Sequence, residues 1–553
     1  MSAKSLSLPV LHQDPDPDKP ESRNICHQGT KARRIFFVIL SLRGRAPLGR
    51  RLSVWVTLWQ KEKTFATKST KLTIKKLSIE NGDFMPKKYH IPIKTAEPRG
   101  NPIGKYATVE FREDCAGSCK ECVKKKCVYG IFRDNYAHAS TMSEPEYLYT
   151  CMSCFRCVQE CTKGIFSRVI NPEYRTLGDD YWRPDIINSL WYQAHTGKVP
   201  VSGAGYRGPF VAAGFDSMWT DMSEIVRPTR DGIHGREYIS TCFEISRRAT
   251  PLKFNTDMSL ASDVPPILEL PIPLMFQLPD TLILNEQILL SAAKAARILG
   301  TLMLIRPQDH KVLSPYADHL IPCLTCENYM HYKELIAKSR GVELADAPDI
   351  EKTIAKIRVI KPDIFIIIGI PLDATAASRA LELSYAHVDT LHFYADEHGK
   401  ELNTEHPLFL KEKIRKIHLK LVDNSVRQKI NLVFCGGIAM AEHMAKSIIC
   451  GADAVIVDIP LLVALECRLC YQCRNGLPCP AKIDHPIDPE WGSQRIVNLI
   501  AAWHNQLIEV MGAMGIREAR RLRGEVGRSM WFEDLEMESF GPIFGKRKIA
   551  GIK

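Results

Sequence analysis

Twelve of the 18 cysteines in this chain fall into three short clusters, and their spacing is that of metal ligands. The spacings are too short for a useful disulfide framework in a chain this long, and they favour iron–sulfur chemistry in a reducing compartment. We therefore predict a cytoplasmic protein whose clustered thiolates bind iron. The proposed ligands are Cys115, Cys119, Cys122, Cys127, Cys151, Cys154, Cys157, Cys161, Cys467, Cys470, Cys473 and Cys479.

The first two clusters form an internal repeat. Cys151 to Cys161 has the C-x2-C-x2-C-x3-C spacing of bacterial-type ferredoxins, and Cys115 to Cys127 is the same pattern with one residue inserted in two gaps. Both continue into Gly-Ile-Phe. We predict two [4Fe–4S] clusters, each taking three cysteines from one half and the fourth from the other. Valine and threonine stand where proline usually follows the fourth cysteine, and a zinc ribbon is the alternative.

Net charge is concentrated at the amino terminus. Residues 1–84 hold 16 Lys and Arg against 7 Asp and Glu, whereas the rest of the chain holds 58 against 56. The near-neutral remainder excludes a composition-based case for nucleic acid, and the absence of a run of eighteen apolar residues predicts no membrane span. Residues 1–84 read as a disordered or spurious extension upstream of Met85, with a twin-arginine signal and a transit peptide as alternatives.

From Asp257 onward, short apolar runs alternate with helical stretches, which predicts an α/β fold with one (β/α)8 barrel of the TIM type. Predicted helices include 285–299 and 349–360. The predicted strands are 267–276, 300–305, 319–321, 364–368, 390–394, 432–435 and 454–458.

Active residues of such a barrel lie at the carboxyl ends of its strands. Each polar residue there is more often satisfied within its loop, but five are candidates for catalysis. They are Gln277, Arg306, Asp373, His392 and Asp396. A strand followed by Gly436 and Gly437 predicts a phosphate cup, because glycines let backbone N–H groups approach an anion. The pair Cys323 and Cys326 lacks the flanks of a redox motif.

The residues G-G-I at 436–438, G-A-D-A-V at 451–455 and the cysteine cluster after them resemble the flavin and iron–sulfur domain of glutamate synthases. The stretches 214–241 and 498–524 are also similar to glutamate synthase-related proteins that carry their own ferredoxin module. The resemblance implies FMN on the barrel, near Gly436, Gly437, Gln277 and Asp458. Departures are the missing lysine in strand 364–368 and Asp458 in place of a Gly-Arg pair.

The resemblance implies a third cluster. Glutamate synthases hold a three-iron cluster with three cysteines, and the matching positions are Cys467, Cys473 and Cys479. Cys470 is then either a fourth ligand, giving [4Fe–4S] in place of [3Fe–4S], or a small apolar residue.

Two functions are expected from these features. The first is an oxidoreductase of glutamate synthase type, acting on CH–NH2 donors, in which electrons pass from the ferredoxin clusters to a barrel-bound flavin and a small-molecule substrate such as a 2-oxo acid imine. The second is a non-catalytic electron-transfer subunit with a degenerate barrel. Either one requires an electron-donor protein or other redox subunits. The predicted domains are 1–84 (extension), 85–170 (ferredoxin-like), 171–256 (linker), 257–530 (barrel with the cysteine loop) and 531–553 (tail).

Overall fold

The computed structural model of the chain describes residues 89–100, 103–110, 155–199, 214–220, 239–245, 254–259, 267–279, 284–386 and 388–545. All of them belong to one unit, Lys88–Lys553. The predicted extension 1–84 lies outside the described residues. So do six of the eight ferredoxin-type cysteines, namely Cys115, Cys119, Cys122, Cys127, Cys151 and Cys154.

Short elements precede the barrel in the chain. Strand β1 (Tyr106–Glu110) pairs antiparallel with β2 (Phe166–Ile170), and the one-turn helix α1 (Arg156–Glu160) lies between them in sequence. Helix α2 (Pro184–Thr196) begins with proline, whose fixed φ suits a first helical position, and ends at Gly197 in the left-handed region. Strand β3 (Met218–Thr220) follows.

An antiparallel pair closes one end of the barrel. Strands β4 (Phe243–Glu244) and β5 (Glu269–Leu270) pair, and Phe243, Ile245 and Leu270 form one apolar cluster with the side chains that line the barrel. Thr390, the first residue of its barrel strand, donates a hydrogen bond to the carbonyl of Ile245. The β4–β5 pair therefore covers the amino-terminal end of the barrel. The functional end of the barrel is the carboxyl-terminal one.

Eight parallel strands close into a barrel in chain order, which confirms the predicted (β/α)8 fold. Their residues are almost entirely buried, because a strand of a parallel barrel faces the core on one side and helices on the other. The strands are β6 (Leu274–Gln277), β7 (Met303–Ile305), β8 (Leu320–Leu324), β9 (Gly341–Ala345), β10 (Phe365–Pro371), β11 (Thr390–Tyr394), β12 (Asn431–Cys435) and β13 (Ala454–Val457).

One strand prediction was wrong, and one strand was missed. The segment 267–276 is two elements, β5 and β6, because Pro271 and Pro273 interrupt it and proline cannot donate to a ladder. Strand β9 was missed, since Glu343 divides its short apolar run. The other six predicted strands are present, with bounds that shift by up to three residues.

Helices cover the outside of the barrel. The predicted helices 285–299 and 349–360 are present as Glu286–Leu299, capped by the Asn285 side chain, and Ile350–Ile360. In chain order the helices are α3 (Glu286–Leu299), α4 (Lys333–Lys338), α5 (Ile350–Ile360), α6 (Ala376–Leu383), α7 (Leu410–Asp423), α8 (Ala441–Cys450), α9 (Ile459–Ala464), α10 (Pro489–Ala513), α11 (Ala519–Leu522) and α12 (Phe532–Phe544).

Helix α10 ties the amino-terminal segment to the barrel. Its buried Asn498 donates to the carbonyl of Lys94 at 2.6 Å and accepts from the N–H of the same residue at 3.3 Å. The same amide also donates to the carbonyl of Ala194 at the end of α2. Strand β14 (Ser529–Trp531) pairs with β3. None of the helices in the described residues is long and apolar enough to cross a membrane.

Candidate redox site at the mouth of the barrel

The cysteine loop follows α9 and lies against the carboxyl-terminal end of the barrel. Cys467, Cys470, Cys473 and Cys479 line one small cavity of about 20 Å³, together with Leu469, Tyr471, Pro480 and Ile483. Cys467 is buried, and the other three are partly exposed. Four cysteines predicted from spacing alone thus converge on one point.

The backbone of this loop adopts conformations that L-residues seldom adopt. Glu466, Leu469, Tyr471 and Lys482 all have positive φ, at 77°, 48°, 54° and 51°. Each such non-glycine residue costs on the order of 1 kcal/mol and persists only where the surroundings require it. The turns direct the cysteines toward the shared cavity, and this geometry is a reason to assign the loop a ligand.

Electrostatics within the loop favour a cationic occupant. Burial, together with repulsion from the other three cysteines, raises the pKa of Cys467 to about 12. Iron would reverse both effects by neutralising the thiolates. Within the described residues, no three His, Cys, Asp or Glu side chains are placed to hold a single metal ion. A cluster differs, because each cysteine binds a separate iron atom and the sulfurs stay apart.

The ferredoxin-like segment shares one local geometry with the loop. Of its cysteines, Cys157 and Cys161 lie within the described residues, and both contact the small apolar cluster of Ile165 and Phe166. Phe155 has φ 56° and ψ 17°, and Tyr471 has φ 54° and ψ 13°. Both are the aromatic residue of a Cys-aromatic-x-Cys sequence, and both precede a single helical turn. The likeness supports one kind of ligand loop at both places.

The glycine turn after β12 is tightly packed against protein. Gly436 and Gly437 have φ of 94° and 68°. A Cβ built on Gly437 would lie 2.5 Å from the backbone N and Cα of Gly399, and one on Gly436 would lie 2.5 Å from the carbonyl oxygen of Asp396. The hydroxyl of Tyr181 donates to the carbonyl of Gly437. The glycines are therefore needed for close approach of the loop after β11.

Asp458 occupies the position after β13. It is buried, and its Oδ1 has no hydrogen-bond partner among the described residues, while its Oδ2 is 3.7 Å from the sulfur of Cys435. Burial raises the pKa of Asp458 to about 6, and the backbone N–H groups of Ile459 and Asp458 offset part of that shift. Burial and the nearby Asp458 raise the pKa of the Cys435 thiol well above its usual range.

An ionised Asp458 is unfavourable for a flavin phosphate at the glycine turn, because it would repel an anion in a buried site. Gly399 occupies the side-chain position of Gly437. Gln277, at the end of β6, is partly exposed. The assignment of Gly436, Gly437, Gln277 and Asp458 to cofactor binding stays a prediction.

A carboxylate–imidazole pair lies inside the barrel below the mouth. The Nδ1 of His392 on β11 is 2.9 Å from Oε2 of Glu343 on β9, and both side chains are buried. Gly369 on the intervening strand β10 leaves room for Glu343, since a Cβ there would lie 2.8 Å from its Oε1. The Nε2 of His392 has no partner within the described part of the chain. Glu343 therefore orients the imidazole of His392.

Sequence reasoning named His392 but missed Glu343. The carboxylate was overlooked together with its strand, although an acidic residue inside an apolar run is itself unusual in a buried strand. Three other candidates form hydrogen bonds within their own loops. Arg306 donates to Asp309, Asp373 accepts from the N–H and hydroxyl of Thr375, and Asp396 accepts from the N–H groups of His398 and Lys400.

A hydrogen-bonded hub joins the cysteine loop to the barrel. Asp179 accepts from the Tyr471 hydroxyl at 2.8 Å and lies 3.0 Å from Nε2 of His398 in the loop after β11. It also accepts from the N–H groups of Tyr181 and Trp182. Burial opposes ionisation of Asp179, but these hydrogen bonds hold its pKa below the usual range. The hydrogen bond to Asp179 in turn raises the pKa of His398.

The cysteines outside the clusters differ in burial. Cys435 and Cys450 are buried, as expected of small core residues, whereas Cys242 is partly exposed. Cys323 packs against the apolar cluster inside the barrel. Cys326 packs against the larger apolar cluster between the barrel and its helices. Cys323 and Cys326 are not joined by a disulfide.

The protein is therefore a closed (β/α)8 barrel with a loop of four clustered cysteines at its mouth. Known proteins identify the relationship more closely. A family model described as the conserved region in glutamate synthase matches residues 331–517. The archaeal-type glutamate synthase (NADPH) of Dehalococcoides mccartyi is 23% identical over 505 residues, covering 80% of this chain and 97% of that protein.

A second relative, the archaeal glutamate synthase (NADPH) of Methanocaldococcus jannaschii, is 26% identical over 490 residues, which cover 71% of this chain and 95% of that protein. A solved mandelate oxidase variant covers 54% of this chain and 91% of its own, with 14% identity and a TM-score of 0.34. The fold assignment rests instead on the strand order of the chain itself. These matches confirm the predicted relationship to the glutamate synthases, and the prediction of an oxidoreductase of this type is confirmed as well.

Proposed function

We propose that this protein passes electrons from two ferredoxin-type [4Fe–4S] clusters, through a third cluster in the cysteine loop, to a small substrate at the mouth of the barrel. The observation that carries the proposal is the convergence of Cys467, Cys470, Cys473 and Cys479 on one cavity. By relationship to the glutamate synthases, the substrate class is a 2-oxo acid imine, which is reduced to an amino acid.

The electrons enter from outside the chain in this proposal. The relatives are named for NADPH, and we propose that an electron-donor protein or another redox subunit delivers electrons of that origin to the ferredoxin-like segment. Thiolate-bound clusters need a reducing compartment, so the cytoplasm is the proposed location.

Two-electron reduction of an imine requires a group that collects single electrons from the clusters. FMN is the cofactor that the relationship implies for this step, and its phosphate would need contacts other than the glycine turn. His392, oriented by Glu343, is the side chain proposed to supply or accept a proton inside the barrel.

The closed glycine turn favours a second candidate function. With Gly437 packed on Gly399 and Asp458 buried beside it, the barrel could serve as the scaffold of a non-catalytic electron-transfer subunit. The clusters would then exchange electrons with partner subunits, and no small substrate would be reduced.

One measurement separates the two functions. The protein is purified anaerobically, its visible spectrum is recorded, and flavin is extracted with acid and quantified beside total iron. Stoichiometric flavin with iron supports the enzyme, whereas iron without flavin supports the electron-transfer subunit. Iron in excess of about eight atoms per chain is expected, since two [4Fe–4S] clusters account for about eight. Stoichiometric zinc without iron would refute both.

The ligand set of the third cluster has its own test. We propose four-cysteine ligation, because Cys470 lines the same cavity as the other three cysteines. The test is electron paramagnetic resonance on protein lacking the ferredoxin-type cysteines, with and without Cys470→Ala. A three-iron signal in the oxidised protein that Cys470→Ala leaves unchanged would exclude the fourth ligand.

A further inference from the structure

A basic pocket lies beside the cysteine loop and adjoins the cysteine-lined cavity, with which it shares Arg468 and Pro480. It has a volume of about 250 Å³. Its floor and walls come from the amino-terminal segment, helix α2, the cysteine loop and helix α10. The side chains that give it its character are Arg99, Trp191, Glu466, Arg468, Lys482 and Arg495.

The pocket carries more positive charge than its own carboxylate can neutralise. Glu466 accepts from the backbone N–H of Arg99 at 2.8 Å and from its Nε at 3.3 Å, and it lies 3.8 Å from the guanidinium of Arg495. One carboxylate is thus shared by two arginines. Arg468 and Lys482 add two further charges on the side of the loop.

Acidic side chains in the described residues neutralise the charges of Arg468 and Lys482 only weakly. Among the residues that the structure describes, Arg468 has one distant acidic partner, Glu173, at 3.9 Å, whose side chain is largely exposed. Lys482 makes no ion pair with any residue in the described ranges. Exposed ion pairs at such distances contribute little. The positive field of the pocket is therefore available to a ligand.

The walls are rigid. Arg495 is buried and donates to the carbonyls of Ala464 and Ala96 at 2.6 and 3.0 Å. The guanidinium groups of Arg99 and Arg495 lie 4.8 and 5.1 Å from the ring centre of Trp491. Cation–π contacts and backbone hydrogen bonds fix both arginines before any ligand arrives. A rigid, pre-formed charge lowers the cost of binding.

A buried donor in the pocket wall lacks an acceptor. Trp191 is nine-tenths buried, and its Nε1 has no hydrogen-bond partner among the described residues. A buried N–H without an acceptor costs about 1–3 kcal/mol, so such groups usually have an unseen partner. An anion in the pocket would bring acceptor oxygens and negative charge next to this wall.

We propose that this pocket binds a small multivalent anion, either a dicarboxylate or inorganic phosphate. The arginine fork of Arg468 and the ammonium of Lys482 suit paired oxygens of either kind. The volume accommodates a small metabolite and excludes a whole nucleotide, which needs a larger cleft.

Isothermal titration calorimetry of the full-length, iron-loaded protein tests the site at low ionic strength. Succinate, inorganic phosphate and acetate are the three probes, and acetate is the monovalent control. Saturable binding of succinate or phosphate, with acetate at least about tenfold weaker, is expected because two charges engage the pocket. The comparison of succinate with phosphate identifies the class of anion. Absence of binding by both, or equal binding of acetate, overturns the proposal.

Point variants locate the binding. Arg468→Gln and Lys482→Gln should each weaken binding by about tenfold, because each removes one charge-assisted hydrogen bond. Arg521→Gln removes the same charge from an exposed position on α11 and should leave the affinity unchanged. Trp191→Phe keeps the ring and removes the donor, and a loss of about threefold to tenfold is expected. Equal losses in the three charge variants Arg468→Gln, Lys482→Gln and Arg521→Gln would mean that only net charge matters and would refute the site.

Iron content of each variant separates a local effect from loss of the loop. If Lys482→Gln has lost iron, the comparison uses Arg468→Gln instead, provided that this variant has a normal iron content. Because calorimetry requires no activity, a negative result here leaves the proposed electron transfer intact. Failure of the iron measurements leaves the anion site intact as well.

Discussion

The cysteine loop and the glycine turn lie close together at the mouth of the barrel, and both contain residues with positive φ. In the loop they are not glycines, so their backbone conformation is strained, and the loop encloses a cavity lined by four cysteines. These residues are Glu466, Leu469, Tyr471 and Lys482. In the turn they are glycines, which take up little strain, and the result is direct contact with Gly399 and Asp396.

The two regions show that residues with positive φ do not by themselves define a ligand site. In the cysteine loop they surround a cavity, whereas in the glycine turn they allow close packing against backbone. Four cysteines around an open cavity remain suited to iron. A glycine pair with a buried Asp458 beside it is unsuited to phosphate when that carboxyl is ionised. The redox role of this protein therefore rests more firmly on its cysteines than on its barrel chemistry.

The largest expected effect comes from removing a loop cysteine. Cys473→Ser should abolish the third cluster, because a serine hydroxyl is a poor ligand for iron in this setting. Total iron should fall by about three or four atoms per chain. Iron analysis and electron paramagnetic resonance measure the loss. Cys326→Ser, which changes a partly exposed cysteine outside the loop, is the control and should keep all iron. Equal iron in both variants would show that the loop holds no cluster.

The next effect contrasts two glycines with nearly the same backbone. Gly437 and Gly476 have φ of 68° and 69°, but Gly437 is enclosed and Gly476 has no atom within 4 Å of a built Cβ. Gly437→Ala should destabilise the protein by about 3–5 kcal/mol, combining backbone strain with a clash on Gly399. Gly476→Ala should cost about 1 kcal/mol, from strain alone. Thermal unfolding followed by circular dichroism compares them, and similar melting temperatures would mean that the turn is open.

The sequence was most informative where the determinants are local. Cysteine spacing predicted the loop, since all four ligands lie within thirteen residues of one another. Apolar runs predicted the barrel, but not β9, because Glu343 inside that strand has a partner, His392, on another strand. Pattern reading assigns a charged residue to the surface unless its partner is known.

Non-local contacts were beyond the sequence. Nothing in G-G-I indicates whether the glycines face an anion or the backbone of Gly399. The same limit applies to the basic pocket. Its residues Arg99, Trp191, Arg468 and Arg495 come from four separate elements. The hub at Asp179 likewise joins three segments that have no common motif.

Asp458 gives the glycine turn a characteristic pH dependence. Its pKa is raised from 3.8 to about 6 in the folded protein, so the folded state binds the proton more tightly than the unfolded state. Stability should therefore decrease as pH rises from about 4 to about 6 and then stay level, with a total change of about 3 kcal/mol. Asp458→Asn should lose this decrease.

Urea unfolding at pH 5.0 and 7.5 measures the effect of Asp458→Asn relative to wild type. The variant should gain in relative stability at the higher pH. Asp423→Asn, at an exposed position on α7, is the control and should behave as wild type. If the stabilities of wild type and Asp458→Asn changed with pH in parallel, Asp458 would be solvated. Its carboxylate would then not exclude a phosphate from the turn.

The smallest effect concerns the link between the two regions. Tyr471→Phe removes the hydroxyl that donates to Asp179 and leaves the ring and its backbone conformation in place. Asp179 keeps His398 and two backbone N–H groups as partners, so no buried charge is left unpaired. The cost should be about 1 kcal/mol, which corresponds to about 1–2 °C in melting temperature for a chain of this size. Tyr385→Phe, at an exposed position after α6, should cost nothing measurable. Iron content should match wild type in both variants, because the cysteines and the turns of the loop are unchanged. If Tyr471→Phe instead lost as much iron as Cys473→Ser, the hydrogen bond to Asp179 would be what holds the loop in its ligand-binding shape, and the cysteine loop and the barrel mouth would be one structural unit rather than two neighbours.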